Sequence, residues 1–201
     1  MHCLAMHVLI PLSFILFACS NTQIKKSPIL EPKSETFIPE LIADGFDWPV
    51  GPPDAKGYYN AQGFGKNNHL GDDWNGRDGG DSDLGDPVYV VAHGYVTFAE
   101  DYNQSWGNVI RVIHYLEDGT QVESLYGHCD EILVKKGDWI QKGTQIGTIG
   151  TAHGSYYAHL HFEIRDNIAM PIGPGYSSKT EGYLNPNQFI RANRILVRDS
   201  I

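Results

Sequence analysis

The chain has 201 residues, 19% of them charged, with 22 glycines, 11 prolines and a formal net charge of −9. That composition excludes a disordered or fibrous protein. The acidic balance argues against a nucleic-acid partner, because no basic surplus is available to displace counterions from phosphates.

Residues 4–18, LAMHVLIPLSFILFA, form an apolar run shorter than the ~20 residues that span a bilayer. The run reads as the core of an export signal, residues 1–18, that ends at Cys19. Leu16-Phe17-Ala18-Cys19 resembles the bacterial lipobox, which implies lipidation of Cys19 and an outer-membrane lipoprotein facing the periplasm, although no Lys or Arg precedes Lys25. Cys3 would leave with the signal and Cys19 would be acylated, so Cys129 stands alone and no intramolecular disulfide is expected. Residues 19–45 carry three prolines and mixed charge without periodicity and read as a tether. As a flexible coil, ~25 residues have an end-to-end distance of roughly 25–30 Å.

From Phe46 to Ile201 the chain is long enough for one domain with its own core. Short β-type runs recur between turn residues: PVYVVAHGYVTFAE (87–100), NVIRVIHYL (108–116), QVESLYGH (121–128), EILV (131–134) and HLHFEIR (159–165). Asp118-Gly119 between the second and third marks a hairpin, and Gly94 within the first suggests a bend or bulge. No three-turn helix is apparent. The pattern predicts an all-β domain, a compact antiparallel sheet or sandwich.

Along HLHFEIR, alternate residues share a face, so His159, His161 and Glu163 lie opposite Leu160, Phe162 and Ile164. The apolar face packs on a core. The histidine face is either a half-exposed, solvated surface or a metal or catalytic site, since adjacent imidazoles make poor core material unless hydrogen-bonded. NHLGDDWNG (68–76) adds His69 and Asp73 around Gly71, in a turn where a flexible glycine lets two side chains converge. SLYGHCD (124–130) adds His128. Three protein ligands and an open position are the pattern of a catalytic zinc site, and His with Asp suits zinc. The sequence has no H-E-x-x-H and no Cys cluster.

H-x-G-x-D at His69 and Asp73, Y-G-H at Tyr126–His128 and H-L-H-F-E at His159–Glu163, in that order, resemble the lysostaphin-type (LytM-like) zinc peptidoglycan endopeptidases. VKKGDWIQKGTQIGTIG and LNPNQFI share the family's look, and the resemblance covers roughly residues 60–190. It implies a lysostaphin-type, barrel-sandwich-like fold and one zinc ion per chain held by His69, Asp73 and His161. It further implies His128 and His159 as the catalytic pair, with peptidoglycan peptide stems as substrate. Glu163 is either a partner of a ligating imidazole or a solvent-facing strand residue. GTAHGSYYAHLH (150–161) is bulkier than the family's usual loop, which puts His153, Tyr156 and Tyr157 at the cleft border. Tyr58 or Tyr59 fits the place where some relatives use a transition-state tyrosine. His93, His114 and Cys129 read as structural, and GRDGGDSDLGD (76–86) as a solvated loop without EF-hand spacing.

Three functions compete. The first is a zinc endopeptidase that cuts peptidoglycan cross-links. The second is a catalytically inert wall-binding or amidase-activating lipoprotein, which filled ligand and catalytic positions disfavour. A biotinyl- or lipoyl-type carrier, suggested by KKGDWIQKGTQIG, leaves the histidines unexplained. No feature specifies a protein partner.

Overall fold

A computed structural model describes residues 39–102, 104–168 and 170–194, all within the unit Ile38–Ile201. The expected signal, Cys19 and most of the expected tether lie outside the described residues.

Ten strands follow one another: β1 (Tyr58–Gln62), β2 (Asp72–Gly76), β3 (Pro87–Tyr89), β4 (Gly94–Asp101), β5 (Asn108–Tyr115), β6 (Gln121–Cys129), β7 (Trp139–Ile140), β8 (Gln145–Thr148), β9 (Leu160–Arg165) and β10 (Tyr183–Leu184). A two-turn helix, α1 (Pro186–Ala192), comes last. The large sheet is antiparallel in the order β1-β2-β9-β6-β5-β4-β7, with β10 paired to the end of β9, and β3 with β8 forms a second sheet. The all-β antiparallel expectation holds.

The alternation in β9 explains the layering. Phe162 stands opposite Tyr126, and Tyr126 opposite Ile110. With Leu160, Ile164, Val112 and Val96 they are fully buried in one core that also holds Val88 of β3 and Ile146 of β8. Burial of each such aliphatic or aromatic side chain contributes about 1.5–3 kcal/mol. The β9 face bearing His161, Glu163 and Arg165 is buried too, at 3%, 0% and 0% exposure, so the solvated-surface reading of Glu163 is overturned. A smaller cluster of Trp106, Val109, Leu125 and Ile172 covers this second side.

Two expected strands come out differently. Residues 87–100 are split between sheets: Val90, Val91 and Ala92 are fully buried as the chain passes from β3 to β4. At Gly94 a Cβ would lie 2.6 Å from the Ile113 carbonyl oxygen, so the interruption marks a close approach. In 131–134 only Ile132 bridges, to Gly147, and no strand forms. Packing onto the domain starts before Phe46: Ala43 is buried and its N–H donates to the Tyr115 carbonyl, 2.8 Å away. At the other end, Asn185 caps α1 by accepting from the Gln188 N–H, ahead of Pro186 in the first turn.

His114 is a core residue, as its strand position suggests. Its Nδ1–H donates to the His93 carbonyl at 2.9 Å, and Nε2 sits 2.7 Å from the Ser124 hydroxyl. Complete burial pushes its pKa down to about 4.

Candidate metal centre

Strands β2 and β9 pair with Asp73 directly opposite His161, which brings two of the motifs together. His69 enters from the turn before β2. It is held by a bridge to Tyr176, and the following Leu70 N–H donates to the Gly175 carbonyl at 2.9 Å. Gly71 serves this junction differently from the expected hinge. A Cβ there would stand 2.4 Å from the Phe162 carbonyl oxygen and 2.9 Å from Glu163 Cγ, so its missing side chain lets β2 approach β9.

Three atoms converge. His69 Nε2 is 3.0 Å from His161 Nδ1 and 3.2 Å from Asp73 Oδ1, and His161 Nδ1 is 3.1 Å from Asp73 Oδ1. Ligand atoms of one tetrahedral zinc, at about 2.0–2.1 Å from the ion, stand about 3.3–3.4 Å apart, so the triangle needs only slight opening to hold zinc. The donor set, two imidazoles and one carboxylate, is also a zinc set. Among the described residues these three are the one group of His, Cys, Asp and Glu close enough to share an ion.

The charges suit this role. Burial raises the Asp73 carboxyl, but hydrogen bonds from His161 and His69 outweigh it and hold the group well below the usual carboxylate range. Burial also opposes protonation of His161, yet its hydrogen bonds to Asp73 and Glu163 raise its pKa to about 9. A metal at the site therefore competes with a proton on His161. The other nitrogen of His161, Nε2, lies 2.9 Å from Glu163 Oε1, the carboxylate–histidine arrangement that orients metal-binding imidazoles.

His128 and His159 flank the triangle, their ring centroids 4.8 Å apart. His128 is the next-to-last residue of β6, beside Gly127, which pairs with His161, and takes a left-handed backbone with φ 66°. Its Nδ1–H donates to the Trp106 carbonyl at 3.2 Å. The Nδ1–H of His159 donates to the Tyr157 carbonyl at 2.8 Å, and its Nε2 is 3.8 Å from Asp73 Oδ1. Burial, then the neighbouring His161 and His159, push the His128 pKa down to about 3. It is therefore a neutral acceptor at working pH.

A cleft of about 740 Å³ lined by Asp73, Asn75, Asp81, Tyr156 and His159 leads to these groups. A cavity of about 160 Å³ continues it past Trp106, His128, His161 and Tyr176. Tyr156 lines both, and Tyr157 is 76% exposed at the rim. The other expected border residues lie apart. His153 is exposed and paired with Asp101 at 3.2 Å. The Tyr58 hydroxyl donates to Asp86 at 2.7 Å in a separate pocket. Tyr59 is exposed, and neither Tyr58 nor Tyr59 lines the cleft. Cys129 is a buried thiol that burial pushes up to about 12.

Sequence reasoning missed three contributors. Arg165 continues the His161–Glu163 face by two residues, a period-2 signal available in the strand itself. Trp106, whose ring centroid is 5.0 Å from that of His161, and Tyr176, 4.9 Å from His69, sit outside any motif and offer no such signal.

The model of peptidase family M23 matches residues 72–174. The cell division protein DipM of Caulobacter vibrioides is 31% identical over 154 residues, covering 73% of this chain and 23% of DipM. The peptidoglycan DD-endopeptidase ShyA of Vibrio cholerae is 32% identical over 81 residues, 40% of this chain and 18% of ShyA. Among solved structures, the antimicrobial peptidase lysostaphin from Staphylococcus simulans superposes with a TM-score of 0.51 at 26% identity, covering 68% of this chain and 50% of lysostaphin. The chain thus spans about a quarter or less of the length of these two curated relatives.

Proposed function

The chain belongs to peptidase family M23, and from that premise we propose that it is a zinc-dependent endopeptidase that hydrolyses the peptide cross-links of peptidoglycan. The observation that carries this reading is the convergence of His69, Asp73 and His161 beside two histidines that open onto one cleft. ShyA, whose name states that chemistry, supports the substrate class.

His69 Nε2, Asp73 Oδ1 and His161 Nδ1 are the atoms that would hold zinc, and Glu163 would fix the tautomer of His161. Held by these three atoms, zinc would supply Lewis acidity to water and to the scissile carbonyl. With Nδ1 of both His128 and His159 tied to backbone carbonyls, each ring offers Nε2 to the cleft. His128, held neutral, suits taking a proton from the attacking water. His159, its Nε2 3.8 Å from Asp73 Oδ1 and lining the cleft, is placed to pass the proton to the leaving amine. Tyr156 and Tyr157 border the path of the peptide stem. The domain acts outside the inner membrane, lipidated at Cys19 and carried on the tether, a placement supported by the apolar run that ends at that residue.

A non-hydrolysing, wall-binding role is the second reading. It draws on DipM, which is named for cell division and not for a reaction. The presence of all three ligands and both histidines weighs against it. Dye-labelled sacculi incubated with the purified chain separate the two. The zinc-endopeptidase reading predicts one zinc per chain and dye release that is lost on chelation and restored by zinc. Zinc-loaded chain that releases no dye contradicts it.

A further inference from the structure

Behind the metal centre lies a buried group of charges of which the mechanism above uses only Glu163. Arg165 is fully buried, and its guanidinium is fully engaged. Nε donates to Glu163 Oε2 at 2.7 Å, and Nη2 reaches the same oxygen at 2.5 Å. Nη1 donates to the Pro171 carbonyl at 3.0 Å and Nη2 to the Ile172 carbonyl at 2.5 Å. Nη1 also lies 3.7 Å from Glu123 Oε1. Glu123 in turn binds Arg111 at 2.9 Å, and Arg111 donates to the Met170 carbonyl at 2.9 Å.

Two features point beyond packing. First, Glu163 divides its oxygens: Oε1 meets His161 and Oε2 meets Arg165, so the orientation of a metal-binding imidazole depends on where Arg165 holds the carboxylate. Second, the backbone that Arg165 and Arg111 grip, from Met170 to Ile172, runs directly into Gly175 and Tyr176. There the Gly175 carbonyl takes the Leu70 N–H, and Tyr176 bridges His69 and packs its ring against it. One balanced cluster of two Arg and two Glu therefore fixes His161 from behind and the support of His69 from in front. Stability alone does not explain it, because buried ion pairs are often replaceable by apolar side chains without loss.

We propose that Arg165 is a positioning residue of the metal centre, holding His161 through Glu163 and holding the support of His69 through the Pro171 and Ile172 carbonyls. The inference rests on the zinc reading of the site. Its test compares the full chain in detergent with E163Q and R165K, the first close to isosteric and the second retaining the charge without the fork. Zinc affinity is measured by competition with a chromophoric chelator, ligand geometry from the visible spectrum of the cobalt-loaded chain, and backbone opening by hydrogen exchange over residues 170–176. Both variants should bind zinc about tenfold or more weakly and shift the cobalt spectrum, and R165K should exchange faster across the segment. Parental affinity and spectrum in both variants, or unchanged exchange in R165K, overturns the proposal, as does a parent chain that binds no zinc. None of these readouts involves hydrolysis. A parent that binds zinc yet leaves peptidoglycan intact sinks the peptidase reading and leaves the positioning of the metal centre to be judged by the affinities alone.

Discussion

His128 and His159 are distinguished from the metal ligands by what their Nδ1 atoms touch. In both, a backbone carbonyl takes the Nδ1–H, so Nε2 alone is left for the cleft, whereas His161 spends both nitrogens on Asp73 and Glu163. Substitution should split along that line. His159→Ala and His128→Ala are each expected to lower kcat by about 10²–10⁴ while zinc content stays at the parental level. His161→Ala should lose zinc and activity together. Metal analysis beside rates on a purified cross-linked dimer checks this, and loss of zinc in His159→Ala would count against it. At this scale the sequence was readable where chemistry repeats with the strand period: His159, His161 and Glu163 share a face because they alternate. Arg165 follows the same rule one step further. Tyr176 and Trp106 follow no such rule, since they reach the site from a loop and from a single 3-10 turn, too short to carry a period.

Gly71 shows what alternation leaves out at the scale of the element. A glycine between His69 and Asp73 reads as a hinge, but the pairing of β2 with β9 gives it another task, because the Phe162 carbonyl occupies the space where a Cβ would be. Backbone cannot move aside as a side-chain tip can. Gly71→Ala should therefore cost about 1–3 kcal/mol of stability and weaken zinc binding by spreading Asp73 from His161. Urea unfolding and chelator competition measure the two effects, and parental values in both would refute the close-approach account. The order of motifs along the chain did not reveal that β2 lies between β1 and β9, since strand neighbours depend on long-range packing. Nor did apolar content mark 131–134 as a non-strand: only Ile132 forms a β-bridge there.

At the scale of the whole molecule, His114 is a buried group whose protonation the fold opposes. His114 is neutral in the native core, with a pKa near 4 against an ordinary value of 6.5. The unfolded chain binds the proton first as pH falls. The stability that His114 contributes is thus fully present above about pH 6.5 and is lost down to about pH 4, an amount of order 3 kcal/mol. Urea midpoints at pH 7 and pH 5 should fall in the parent more than in His114→Gln, and parallel falls would contradict the assignment. The all-β class was legible because alternating runs and turn residues recur at strand spacing. That both faces of β9 are buried was not, since alternation separates two faces without telling what covers each. The central claim, that the cleft hydrolyses peptidoglycan cross-links, is tested most directly by digesting purified sacculi in ¹⁸O-labelled water and reading the products by liquid chromatography and mass spectrometry. The account predicts loss of cross-linked dimers and monomers bearing one ¹⁸O at the new carboxyl, with neither seen after chelation or in His161→Ala. Intact dimers in the presence of zinc-loaded chain would contradict it.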